Sequence, residues 1–401
     1  MKFKAKSSYI GLILLAGILA VVWFFGPGKK SQERETLSIQ ALARAVLENC
    51  QRSNYHPTCY EKEIPKLMER ISMEEAFAVA KLVQGADSTY NYCHVLGHDL
   101  AAKETAKDIS KWSEVIHRCP TGICSNGCLH GAAQERFRGE VLTDEQIEIA
   151  KQELIGVCDR TDKWSITGLE QSECFHGLGH LTVYMTGAKM PKALELCRSV
   201  AFTRTGQDFQ NLCYEGAFMQ IFQPLDTDDR ALAATVAPTK KEDVLAFCHS
   251  FAQPAWQDAC WAEGFSLFRD EIETASGTMK YCSRARASSR DHCYSMMFYV
   301  RAQGANYDAG QLADYCQGFP LVEQGQCFGD MSNAMLHGGL HLVDRAVAFC
   351  KLAKNPQSAD KCYQIVVNFA EYNVPVNSAD FLKLCNDLPP VYGKQCLVKR
   401  G

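Results

Sequence analysis

Twenty cysteines recur along this 401-residue chain at a nearly fixed interval, and nothing else in the sequence limits the fold as tightly. The second member of each neighbouring pair falls at 59, 93, 128, 174, 213, 260, 293, 327, 362 and 396, in steps that are mostly 33–35 residues long. A period of that size marks an array of helix-turn-helix units. Proximity sets eight pairs side by side: Cys50 with Cys59, Cys158 with Cys174, Cys197 with Cys213, Cys248 with Cys260, Cys282 with Cys293, Cys316 with Cys327, Cys350 with Cys362, and Cys385 with Cys396. Each first cysteine ends a short helical pattern, as in Arg345-Ala346-Val347-Ala348-Phe349-Cys350. Each second cysteine opens another and is usually followed by an aromatic, such as Tyr60, Phe175, Tyr214, Trp261 or Phe328. The spacing therefore predicts units of two helices, A and B, stapled across the loop that joins them. The longer steps come from polar or proline-containing insertions at 159–173 and 223–242.

Four cysteines stand outside these pairs. The register places Cys119 with Cys128, nine apart like Cys50 and Cys59, and leaves Cys93 for Cys124. The run Cys119-x4-Cys124-x3-Cys128-x-His130 also has the look of a zinc or iron–sulfur cradle. Twenty cysteines, an even number, point instead to an oxidising compartment, where disulfides prevail. Gly139, Gly304 and Gly338 fall eleven residues after a second cysteine and Gly187 thirteen after one. Left-handed glycines at those places would end each helix B after about ten residues.

Period and cysteine placement resemble tetratricopeptide-type helical repeats, most closely the disulfide-stapled, cysteine-rich secreted kind found in bacteria. The resemblance covers roughly residues 40–400. It lacks the Trp-x-x-Leu-Gly signature and the glycine-tyrosine-glycine spacing of the cysteine-rich repeats. It implies an all-α fold: an α-solenoid of nine or ten helix pairs whose concave face suits a protein partner. No functional residue is carried over.

Residues 9–25 form an uncharged apolar run, at the short end of what spans a bilayer. Lys2, Lys4 and Lys6 precede it and favour a cytoplasmic N-terminus, although Lys29, Lys30 and Arg34 follow. The expected layout is a cytoplasmic stub and signal-anchor helix at 1–28, a linker at 29–39 and the repeat domain at 40–401, with a cleaved signal peptide as the alternative. No Asn-x-Ser/Thr sequon occurs, which favours a bacterial inner membrane with the array in the periplasm. A net charge of −4 offers no basic field for nucleic acid.

Histidine supplies the functional signal. His94/His98 and His176/His180 each sit four apart, on one face of a helix. His337/His341 has the same spacing but encloses Gly338-Gly339, which reads as a turn. Aligning the histidines puts His94, His130, His176 and Glu215 in corresponding places of successive B helices, one or two residues after the second cysteine, and His98, Gln134, His180 and Met219 at the place four residues on. Neighbouring helices lie 8–10 Å apart, so imidazoles of adjacent units can meet on one ion. Two combinations follow: His94 and His98 with His130, or His130 with His176 and His180, with Asp99, Glu135 or Glu173 orienting an imidazole. A divalent zinc or copper suits such ligands.

Three functions compete: a metal-binding repeat protein, an interaction scaffold with structural histidines, and a metal-dependent hydrolase using Glu135 or Glu215 as base. His-Glu-x-x-His is absent, and so is Cys-x-x-Cys-His, which excludes covalent haem by that motif. No nucleotide-binding glycine loop is present. Gly97, Gly131, Gly177, Gly179, Gly216 and Gly264 are expected to permit close contact between helix A and helix B.

Overall fold

The computed structural model describes residues 38–137, 141–162, 164–224 and 227–399. The expected signal-anchor, most of the linker and Gly139 lie outside them. No described helix is long and apolar enough to cross a membrane.

The described residues are all-α, with no strand longer than an isolated bridge. Ten helix pairs follow one another: α1 (Ile39–Cys50) with α2 (His56–Leu67), α3 (Met73–Ala86) with α4 (His94–Thr105), α5 (Trp112–Ile116) with α6 (Gly127–Phe137), and α7 (Asp144–Leu154) with α8 (Gly168–Thr186). Next come α9 (Met190–Val200) with α10 (Gln210–Phe222) and, after an inserted α11 (Thr227–Ala233), α12 (Lys241–His249) with α13 (Pro254–Glu263). A short α14 (Arg269–Ile272) precedes α15 (Ala275–Ser283) with α16 (Arg290–Gly304). The last three are α17 (Ala309–Gln317) with α18 (Leu321–Gly338), α19 (Val343–Cys350) with α20 (Pro356–Asn373), and α21 (Ala379–Asp387) with α22 (Pro390–Val398).

Ten disulfides staple the units, and no cysteine is free among the described residues. Eight bridges join the proximal neighbours, Cys50–Cys59 through Cys385–Cys396; the other two are Cys119–Cys128 and Cys93–Cys124. The A helices are amphipathic. In α1, Leu42, Ala43, Val46 and Cys50 recur at helical spacing and are the residues buried. The B helices stack on one another and are enclosed on most sides, as in α8, where Phe175, Leu178, Leu181, Val183 and Met185 are fully covered.

Several B helices exceed the expected ten residues. α8 has 19, because Thr167 and Glu170 form a capping box that starts the helix two turns before Cys174. Gly187 ends it in the left-handed conformation, at φ +59°. Gly304 and Gly338 do not act this way. Asn306 and Tyr307 carry the left-handed turn after α16, and Gly339, at φ +148°, breaks the chain after α18.

The array also curls back on itself. Leu340 N donates to the Gly122 carbonyl at 3.2 Å, and Ser125 Oγ to the Gly338 carbonyl at 3.3 Å. Tyr372 OH reaches Ser172 Oγ at 2.7 Å, and Asn91 Nδ2 reaches the Asn306 carbonyl at 3.3 Å. At these points the inner wall of the N-terminal units is covered by α18 and α20 and the turns beside them.

Of the glycines expected between helix A and helix B, Gly264 does face its own helix A, at Val244, whereas Gly97, Gly131, Gly177, Gly179 and Gly216 face successive B helices. A methyl on Gly131 would overlap the His98 carbonyl, and one on Gly127 the His94 carbonyl, so α4 and α6 touch backbone to backbone. Gly179 and Gly216 do the same for α8 and α10, against the carbonyls of Cys213 and His176. Gly131→Ala is expected to destabilise the chain by about 1–3 kcal/mol, the usual cost of overpacking. Gly85→Ala, with nothing within 4 Å of the added carbon, should be neutral or slightly stabilising. Thermal melts of the two variants check this; equal melting temperatures would count against the tight contact.

Candidate metal centre

Close packing of α4 on α6 brings three imidazoles together. One nitrogen from each of His94, His98 and His130 lies within 4.8 Å of the others, and all three residues are buried. Nε2 of His94 and Nε2 of His98 are 3.0 Å apart.

The other ring nitrogens decide which lone pairs face inward. His94 Nδ1 lies 3.0 Å from the Ser125 carbonyl, which can only accept, so the proton is on Nδ1 and Nε2 carries a lone pair. His98 Nδ1 lies 2.9 Å from Gln134 Oε1, which sets the same tautomer. Two lone pairs at this distance repel unless a cation lies between them. His130 Nε2 donates to the Glu173 carbonyl at 3.0 Å, with a Glu173 carboxylate oxygen at 3.4 Å. Its Nδ1 is buried without any hydrogen-bond partner.

His130 is the hub of a longer file. Its ring centroid lies 5.1–5.4 Å from those of His94, His98, His176 and His180. Of the six residues in the aligned columns that the sequence offers as ligands, only His94, His98 and His130 form the group. His176 and His180 touch His130 by their rings but fall outside the trio, because they project from α8, on the far side of α6. Glu215 is elsewhere: its carboxylate accepts from His292 Nε2 at 2.7 Å, which raises the His292 pKa through that bond and the carboxylate charge. Glu263, buried nearby, is pushed well above the usual carboxylate range by desolvation and then by the charge of Glu215.

Two further participants left no local signal in the sequence, and a third, His337, is marked only by its spacing from His341. Ser125 contributes a backbone carbonyl, from a turn in which Cys124, Ser125 and Asn126 all have positive φ. His337 binds Glu173 at 2.9 Å across a separation of 164 residues. Tyr92 stacks on His94, with ring centroids 5.8 Å apart. Burial would raise the Glu173 carboxylate, yet His337 and His130 hold it well below its ordinary value.

Burial, with the neighbouring imidazoles next in weight, depresses the histidines themselves. His94 falls to about 3 and His180 to about 4, while His98 and His176 lie well below 6.5. The unfolded chain binds these protons near pH 6.5 and the folded metal-free chain does not, so folded stability declines as pH falls below 6.5. At pH 5 each fully neutral histidine costs about 2 kcal/mol relative to the unfolded state. Chelator-treated protein should therefore melt at progressively lower temperature from pH 7 to pH 5. A flat profile would contradict the assignment.

No protein-family model matches this sequence, and no curated protein or solved structure matches it.

Proposed function

We propose that the chain is a metal-binding helical-repeat protein of an oxidising, extracytoplasmic compartment, with its ion held by His94, His98 and His130. The carrying observation is the orphaned Nδ1 of His130, buried beside two other imidazoles whose inward nitrogens are 3.0 Å apart. A buried nitrogen without a partner costs about 1–3 kcal/mol, and a bound cation would remove that cost at His130 together with the lone-pair contact between His94 and His98. Metal–nitrogen bonds are about 2.0–2.1 Å, so ligand nitrogens on a tetrahedral ion sit roughly 3.3 Å apart. The His94/His98 pair is close to that spacing at 3.0 Å, and a His130 nitrogen lies within 4.8 Å of both, from where it would have to approach the ion. Three neutral imidazoles suit zinc or copper.

A water-bridged or wholly structural network is the competing reading. If the Gln134 amide is turned end for end, His98 can donate to His94 and the pair is satisfied without an ion. That turn of the amide gives His130 Nδ1 no protein partner, which favours the metal. The hydrolase reading has less support, since Glu215, one of its two candidate bases beside Glu135, is committed to His292 and lies outside the trio.

Ten disulfides support the oxidising compartment. With the anchor expected at 1–28, the array would sit in the periplasm on the inner membrane. Elemental analysis of protein purified from an oxidising compartment tests the function. We expect stoichiometric zinc or copper in the native chain and its loss when His94 and His98 are both changed to Ala. Sub-stoichiometric metal in both samples would end this reading.

A further inference from the structure

The file of imidazoles does not stop at the trio, and its next members have an unsatisfied nitrogen of their own. His180 Nδ1 donates to Gln220 Oε1 at 2.7 Å, which leaves Nε2 as a lone pair. That nitrogen is buried without a partner, on a residue only 5% exposed. The ring of His180 lies 5.2 Å from that of His176. His176 Nε2 in turn lies 3.3 Å from the thioether sulfur of Met219, on α10.

This repeats the device that builds the trio. His98 is oriented by Gln134 of the next B helix, and His180 by Gln220 of the next B helix. Gly127 and Gly131 bring α6 onto α4, and Gly179 and Gly216 bring α10 onto α8. The third donor differs, and so does the orientation of the first histidine: the Ser125 carbonyl holds His94, whereas His176 faces Met219. Where the first site has the imidazole of His130, the second has the sulfur of Met219, four residues after Glu215, the residue aligned with His130.

We propose that His176, His180 and Met219 form a second metal site, selective for a soft monovalent cation of the copper(I) class. Bonds of about 2.0 Å to nitrogen and about 2.3 Å to sulfur would place His176 Nε2 and Met219 Sδ on one ion at an angle of roughly 100°. A thioether is a poor hydrogen-bond acceptor but a good ligand for soft metals. The soft thioether, which the trio lacks, is what favours copper(I) over a borderline divalent ion at this second site. Of the two carboxylates whose charge reaches His180, Asp229 accepts from Tyr184 OH and Glu173 is engaged by His130 and His337.

The test uses the full, oxidised chain under anaerobic conditions, with the trio first loaded with zinc. A copper(I) acetonitrile salt is titrated against a chromogenic chelator, and the copper environment is read by X-ray absorption. The expected result is one further ion with a sulfur scatterer at about 2.3 Å. Met219→Leu preserves side-chain volume. It should remove the scatterer and weaken copper(I) binding at least roughly tenfold, as loss of a coordinating contact does, with zinc uptake and melting temperature unchanged. His180→Gln should weaken copper(I) similarly. Unchanged copper(I) affinity and sulfur scattering in Met219→Leu would overturn the proposal, as would loss of the copper when only His94 and His98 are changed. A chain that binds copper through sulfur but takes no zinc at the trio would refute the proposed function alone. The converse would refute only this second site.

Discussion

Changing His130 to alanine is expected to abolish tight zinc or copper binding by the trio while leaving the array folded. His130 provides the third nitrogen and is the only member of the trio on α6, so no neighbour can replace it on the same ion. Losing an outer partner of a metal ligand already weakens binding about 10–100-fold, and loss of the ligand itself should exceed the upper end of that range. The clearest measurement is thermal denaturation with and without metal. At free metal near 1,000 times Kd, the native chain should gain about 4 kcal/mol of stability, and His130→Ala none. A control separates metal loss from misfolding. His117 also bonds a backbone carbonyl, that of Val157 at 3.2 Å, but is not part of the trio. His117→Ala should lower the melting temperature modestly and keep the metal-induced shift. Equal shifts in the native and His130→Ala chains would dismantle the site.

The Cys93–Cys124 bridge should matter more than any other single rung. It closes a 31-residue separation, whereas the remaining bridges span 9–16. In the chain-entropy picture that difference is about 3.7 against about 2.6 kcal/mol for the shortest loops. It also anchors three consecutive residues, Cys124, Ser125 and Asn126, in left-handed backbone that costs an ordinary residue roughly 1–2 kcal/mol each. Ser125 is the residue whose carbonyl fixes the His94 tautomer. Replacing both cysteines by serine is therefore expected to lose about 4 kcal/mol or more and to weaken metal binding roughly 10–100-fold. Removing Cys385–Cys396, at the far end of the array, should lower stability without touching affinity. Full reduction goes further, because ten such contributions exceed the 5–15 kcal/mol that holds an ordinary domain folded. Circular dichroism should show the helices collapse; a reduced chain that kept its helicity and melting temperature would refute the dependence on the ladder.

Much of the architecture is legible locally. Cysteine period, short apolar stripes and the aromatics after each second cysteine specify helix pairs, since a bridge across one loop and a stripe on one face involve only nearby residues. The histidine column is legible for the same reason. Helix length was less so. In α8 the capping box at Thr167 and Glu170 overrode the expectation that the helix begins at Cys174.

That imidazoles line successive B helices can be read from periodicity, because the alignment needs nothing beyond the repeat. Which of them meet is settled by packing between distant parts of the chain. Glycines let α4 and α6 approach to backbone contact, the left-handed turn at 124–126 aims a carbonyl at His94, and the curl of the array carries His337 to Glu173 and His292 to Glu215. Those outcomes depend on the small rotation between one unit and the next, summed over many units. No local window of residues contains that sum.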